Sequence, residues 1–325
     1  MVFFGKFVLT VVMGLVSAQL IAAQPGWNIN RAKGTGDLIS VFFTSSSEGW
    51  IAGDNGYLAF TNDGGRSWRR KILNTAADIN EIYFRNDDNG YLVAGRKMFV
   101  TNDAGNSWRE ALIVNPAEFK DGIPEFYSIR FNSKKQGFII GAILDKNDED
   151  VVIGSLLLRT TDGGESWSRI LVPTKVELIH LDFEGKSHGW IVGDMGTILA
   201  TTNNGKTWTV QRSGTKEVLR NVDFRNDDQG FVVGDKGTIL RTVNGGRNWI
   251  KIRSAANNTL NRVDFSDDKN GWIVGSRGTI LRSTDRGNTW VIQNSRTKNS
   301  LYGLYMTKKY GWSVGKTGVI VKYQK

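Results

Sequence analysis

The 325-residue chain contains no cysteine, 4 prolines and 2 histidines. Without cysteine it has no disulfides and no thiol for lipid attachment, so an exported form must hold together on a large core alone. No helical period of apolar residues runs through it. Its apolar runs are short and bounded by Gly, Asn and Asp, which is the signature of strands. Beyond the N-terminal segment no stretch approaches the roughly 20 apolar residues that span a bilayer. No Ser-His-Asp constellation, metal-ligating cluster or phosphate-cradling glycine loop is visible, so neither catalysis nor a metal or other cofactor is expected. What the chain has is glycine and aromatic residues. It carries 38 Gly, 40% apolar and 11% aromatic residues, enough for a large core with many tight turns.

Residues 1–23 stand apart: Lys6 is their only charge, Phe7–Ala23 is mostly apolar, and small residues close the segment at Ala22-Ala23. This reads as a secretory signal peptide, with Val16-Ser17-Ala18 as a second cleavage site and an uncleaved anchor as the alternative. The expected location is exported, periplasmic or extracellular. The net charge is +10. A basic surface favours acidic protein segments, anionic lipid or polyanions, although the cations are scattered rather than gathered in one run.

Six near-identical octets punctuate the chain: Thr/Ser, any residue, Asp/Asn, any residue, Gly, any residue, Ser/Thr/Asn, Trp. They begin at Thr61, Thr101, Thr160, Thr201, Thr242 and Ser283, with third residues Asp63, Asp103, Asp162, Asn203, Asn244 and Asp285. They end on Trp68, Trp108, Trp167, Trp208, Trp249 and Trp290. A glycine followed by an aromatic recurs seven times, at Gly49, Gly90, Gly137, Gly189, Gly230, Gly271 and Gly311, with intervals of 41, 47, 52, 41, 41 and 40 residues. Trp27 precedes Gly49 by 22 residues, the spacing seen after most octet tryptophans, so it supplies a seventh copy from the opposite end of the chain. Periods of this size mean stacked supersecondary units.

One unit, Leu219 to Arg253, predicts the rest. Val222-Asp223-Phe224, Phe231–Gly234, Thr238–Thr242 and Trp249–Ile252 read as four short antiparallel strands joined by Asn/Asp/Gly turns. Such a sheet has two apolar faces, and radial packing of seven buries both. The predicted fold is therefore all-β: a seven-bladed propeller of four-stranded antiparallel blades, a single domain over 24–325. The last unit stops after Val319–Tyr323, and Trp27–Asn30 is expected to complete it as the fourth strand. Within the octet, the Asp or Asn side chain accepts turn N–H groups, the Gly permits positive φ, and the Trp wedges between blades with its indole N–H seeking an acceptor. Asn at two of the six positions fits a structural role better than a catalytic one.

The octets resemble Asp-box (bacterial neuraminidase) repeats. The longer pattern is similar to the photosystem II stability/assembly factor family of exported seven-bladed propellers. An example runs from Gly189-Trp190-Ile191-Val192-Gly193-Asp194 through Gly196-Thr197-Ile198-Leu199 to Thr201 and Trp208. The resemblance spans roughly residues 24–325 and implies the thylakoid lumen as the location in a photosynthetic organism. It implies a non-catalytic assembly factor that binds a membrane protein, or its acidic exported segment, on an arginine-rich face, with neither nucleic acid nor a small-molecule substrate as partner. Asp boxes also occur in sialidases, so a glycoside hydrolase is the alternative, and a general periplasmic scaffold a third. That sialidase resemblance implies a Tyr with a Glu and three arginines, the first in an Arg-Ile-Pro motif. Here Ile123-Pro124 follows Gly122 instead.

In such a blade the octets occupy one rim. The other rim carries the hairpin tips, the blade-to-blade connections and the starts of the inner strands, whose second and third residues are expected to surround the channel mouth. Blades five to seven thereby place Arg220, Lys236, Arg262, Arg277 and Lys316 on one arc, a candidate site for an acidic peptide. Asp235 is the acid expected to face it. Glu81 is the one acid in the aligned third-position ring, without a partner acid for hydrolysis. His180 in the same ring reads as a hydrogen-bonded structural residue. Two insertions, near Asn115–Pro124 and Leu144–Ile153, fall on this second rim. The acidic run of the latter lacks the ligand order for Ca²⁺ and reads as a solvated loop.

Overall fold

Short apolar strands of two to ten residues, closed by glycine turns, yield seven antiparallel four-stranded sheets and, among the described residues, no long helix. The structure, a computed structural model, describes residues 26–32, 34, 36–113, 116–119 and 122–324. The signal-peptide reading of residues 1–23 lies outside these. No helix among the described residues is long and apolar enough to cross a membrane.

Blade five shows how the reading maps onto the fold. Its strands are Leu219–Phe224, Gly230–Gly234, Ile239–Thr242 and Ile250–Lys251. The inner strand starts three residues earlier than the sequence suggests, and the outer one is shorter at both ends. The ring closes as expected. Gly26–Arg31 pairs antiparallel with Val319–Gln324, Trp27 opposite Tyr323, and is the outer strand of the blade whose inner strand is Leu301–Met306.

Aromatic stacking glues the blades. At six of the seven interfaces the aromatic after the repeat glycine lies flat on a Phe at the end of the next blade's inner strand, as with Trp312 on Phe43 at 3.6 Å, Tyr91 on Phe131 at 4.2 Å and Trp190 on Phe224 at 3.3 Å; at the seventh, Met306 stands in place of the Phe. The octet Trp meets that Phe edge-on, as in Trp68–Phe43, Trp108–Phe84 and Trp249–Phe224. Trp27 takes the same role at the closing interface, edge-on to Trp272 at 5.5 Å. Such pairs add to the apolar area they bury. One expectation fails here. Trp167 and Trp249 donate to Gly164 and Gln211, but the indole N–H groups of Trp27, Trp68, Trp108, Trp208 and Trp290 have no acceptor among the described residues. Apolar wedging outweighs the N–H at those five.

The octet turns repeat one hydrogen-bond design. In the first, Asp63 Oδ1 accepts from the backbone N–H of Arg66 and Ser67, both at 2.9 Å, and Oδ2 from Ser67 Oγ at 2.6 Å. Those bonds hold the Asp63 carboxyl far below the usual carboxylate range. Asn203 and Asn244 each accept through Oδ1 in the same way, from Thr207 and Asn248 at 3.0 Å. Gly105 shows why the octet needs glycine: its φ is +79°, and a Cβ there would lie 2.2 Å from the Trp50 ring.

The insertion near Leu144–Ile153 carries its acidic run on a solvent-exposed tip, residues 146–151, as its sequence suggests. It lengthens a hairpin: Gly137–Asp145 pairs with Val152–Thr160, and the inner strand extends to Gly122 to pair with it. At its tip Glu149 Oε2 lies 2.6 Å from Arg96 Nη2 of blade two. Of the insertion near Asn115–Pro124, residues 114, 115, 120 and 121 are not described. Phe119, in its short 3-10 turn, is buried against Ile143 and Leu156.

Candidate functional site: the channel and its second-rim mouth

Every inner strand carries a β-bulge at the same place, between Leu38 and Ser40 in blade one and at the equivalent residues of the other six. A bulge adds a residue and re-aims its side chain. The added residues are Ile39, Asn80, Tyr127, Ile179, Arg220, Asn261 and Tyr302, the second-position ring of the sequence alignment. Five of these seven are tied to neighbours. Asn80 and Asn261 donate to the carbonyls of Phe126 and Leu301, each at 2.7 Å. Tyr127 and Tyr302 bond to Glu177 and Asp37, and Arg220 is held by Asp235. Ile39 and Ile179 remain as apolar walls. Together with Asp37, Asp54, Arg220, Asn261, Arg262 and Tyr302 they line a depression of ≈ 300 Å³.

Below the mouth, the third-position ring ties blade to blade. Ser40 Oγ accepts the N–H of Ile82 at 3.1 Å, Glu81 Oε2 that of Ile129 at 2.9 Å, and Asn221 Oδ1 that of Val263 at 2.9 Å. His180 Nδ1 faces the N–H of Val222 at 3.5 Å, and its Nε2 faces Arg130 Nη2 at 3.1 Å. Burial, helped by the nearby Arg262 and Arg130 charges, drives the His180 pKa well below its ordinary value, so the ring is neutral. The structural reading of His180 therefore matches its surroundings. Glu81 is saturated: beyond Ile129 it accepts from Ser128 Oγ at 2.6 Å and pairs with Arg130 Nη1 at 2.9 Å.

Two residues further along each strand lies a level that the alignment by strand starts did not single out. There Asp182 Oδ2 accepts the N–H of Phe224 at 2.8 Å, and Asp264 Oδ2 that of Met306 at 2.7 Å. Asp223 bonds the backbone of Phe265, while its Oδ2 has no partner among the described residues. Burial raises all three carboxyls, Asp182 to about 6 and Asp264 to about 7. A signal was present: Asp-Phe recurs at 182–183, 223–224 and 264–265. Arg130 had none.

The five arc residues separate by position. Arg220 grips Asp235 bidentately, Nε at 2.6 Å and Nη2 at 3.3 Å. Lys236 pairs with Glu217 at 3.1 Å, an acid not counted as facing the arc in the sequence reading. Arg262 turns inward into the channel, 3.7 Å from Glu81 Oε1. Arg277 and Lys316 sit at hairpin tips, their side chains without a partner among the described residues. No group of three or more metal-ligating side chains occurs among the described residues.

Seven blades, one of them completed by strands from both ends of the chain, and a side-chain-laced channel define the protein as a closed seven-bladed β-propeller built on a repeated octet turn. The chain belongs to the family described as photosynthesis system II assembly factor YCF48, whose profile matches residues 21–109, 72–177, 170–257, 207–291 and 248–324. Among solved structures it is similar to one described as YCF48 bound to D1 peptide, with TM-score 0.75 and 19% identity over 94% of this chain and 96% of that one. It is also similar to YCF48 from Cyanidioschyzon merolae, with TM-score 0.71 and 17% identity over 92% and 98%. Virginiamycin B lyase from Staphylococcus aureus shares the fold as well, with TM-score 0.75 and 15% identity over 92% and 99%. No curated protein matches the sequence.

Proposed function

We propose that this protein is a non-catalytic, exported assembly factor that holds an acidic, extended segment of a membrane-protein partner on its second rim. The carrying observation is the arc over blades five to seven, where Arg277 and Lys316 stand at hairpin tips without acids of their own, beside a mouth walled by Ile39, Ile179 and Tyr302. Family membership supports the assembly role, and one structural neighbour is a YCF48 that has a peptide bound. Support for a non-enzyme comes from the channel acids. Glu81, Asp182, Asp223 and Asp264 each accept a backbone N–H of the next blade, a structural task that accounts for their place in the channel. The lyase neighbour shares the fold, and fold alone does not carry chemistry. A sialic acid or xyloglucan hydrolysis assay is expected to show no turnover.

Affinity purification of the mature protein from its own membranes should recover a membrane protein with an acidic exposed segment. Arg277→Glu combined with Lys316→Glu should cut that recovery about tenfold while leaving the melting midpoint unchanged, because both side chains are exposed. Full recovery by the folded double variant would refute the arc.

A further inference from the structure

We propose that the throat of the channel, where Arg262 meets the mouth, binds a single carboxylate presented by a peptide; this rests on the reading of the second rim as a peptide-holding face. Arg262 differs from four of the six other members of its ring. Ser40, Glu81, His180 and Asn221 face the next blade's N–H with an acceptor, and Arg262 fills the equivalent slot with donors only. Its side chain is 18% exposed, makes no hydrogen bond among the described residues, and approaches one acid, Glu81, at 3.7 Å. Glu81 is already engaged by Ser128, Ile129 and Arg130. At this level the throat therefore sets two guanidiniums, Arg130 and Arg262, against the Glu81 carboxylate; Asp182, Asp223 and Asp264 line the same channel two residues further along their strands, and the Arg262 fork makes no hydrogen bond to any of them.

A poorly paired, largely desolvated charge is costly, and an incoming carboxylate relieves that cost through two parallel N–H···O bonds. Competing groups nearby are occupied. Arg220 is gripped by Asp235. Asp37 accepts from the Thr317 N–H at 2.8 Å and from Tyr302, and Asp54 accepts from the Asp37 N–H at 2.7 Å. Ile39, Ile179 and Tyr302 surround the approach and suit the apolar side chain next to the carboxylate. The carboxylate could belong to a chain terminus or to an Asp or Glu side chain.

Three N-terminally dansylated alanine–leucine hexapeptides, whose label carries no carboxylate, separate these sources by fluorescence anisotropy: one with a free C-terminal carboxylate, its C-terminal amide, and the amide with an internal aspartate. At least one carboxylate-bearing peptide should bind about tenfold or more tightly than the plain amide. Preference for the free acid assigns a chain terminus, and preference for the aspartate amide assigns a side chain. Arg262→Gln should abolish the preference at an unchanged melting midpoint. Arg262→Lys, which keeps the charge without the fork, should weaken it and serves if the Gln variant is unstable. Equal binding of all three peptides, binding of none, or a preference that survives both substitutions overturns the site. Loss of membrane capture with the carboxylate preference intact would instead overturn the partner reading alone.

Discussion

At the scale of single residues, carboxyl groups do two opposite jobs. The octet carboxylates are stabilised as anions by turn hydrogen bonds: Asp63 and Asp162 are pushed far down, and Asp103 to about 2. They favour the fold above their unfolded values, and that contribution is lost only in strong acid. The channel carboxyls are buried and raised, Asp182 to about 6 and Asp264 to about 7. Between an unfolded value of about 4 and these values the folded state holds more protons than the unfolded chain, so stability falls as pH rises through that window. His180, held neutral, works the other way below its unfolded value of about 6.5, so the melting midpoint should decline from about pH 6.5 to pH 8, and Asp264→Asn should flatten the decline. A midpoint that rises over that range would contradict the burial of these acids. The octet pattern was legible in sequence because it is local. The raised acids were not, because their burial depends on seven strands meeting around one axis.

At the scale of the element, the hairpin tips combine recognition with strain. Lys236, Arg277 and Thr317 occupy equivalent tip positions with φ of 52°, 58° and 54°, in the left-handed region that disfavours side chains with a Cβ. Glycine would be easier there. Arg277→Gly should therefore stabilise the fold by about 1 kcal/mol, measured by denaturant midpoint, while weakening partner capture. A destabilised variant would show that the Arg277 side chain supports its own turn. The tips themselves were readable from their Asn, Asp and Gly content. The seven inner-strand bulges were not, because a bulge is a property of pairing with a neighbour rather than of local composition. The exposed acidic tip of the blade-three hairpin was readable in the same way as the other tips, but the pairing of Glu149 with Arg96 was not, because it depends on how two blades meet.

At the scale of the whole molecule, one strand holds the ring shut. Trp27 packs among Trp272, Met306 and Tyr323, and Gly26–Arg31 covers the edge of Val319–Gln324. Trp27→Ala should cost about 3–5 kcal/mol, the usual range for emptying a large aromatic site. A chain starting at residue 32 should unfold at a much lower denaturant midpoint, and the synthetic peptide 24–31 added in trans should partly restore it. Wild-type stability in the truncated chain would mean the ring does not depend on this closure.

The sequence by itself determined the blade count, the strand pairs within each blade, the octet turns and the joining of the termini. All of these follow from short-range periodicity, turn chemistry and one fixed spacing between Trp27 and Gly49. Only the tertiary structure decided which side chains face the channel, that Arg220 and Lys236 are matched by Asp235 and Glu217, and that Arg262 turns inward with no carboxylate of its own. Those outcomes depend on the angle at which neighbouring blades meet and on bulges set by pairing, and they join residues 40 or more positions apart in the chain as well as residues within one blade.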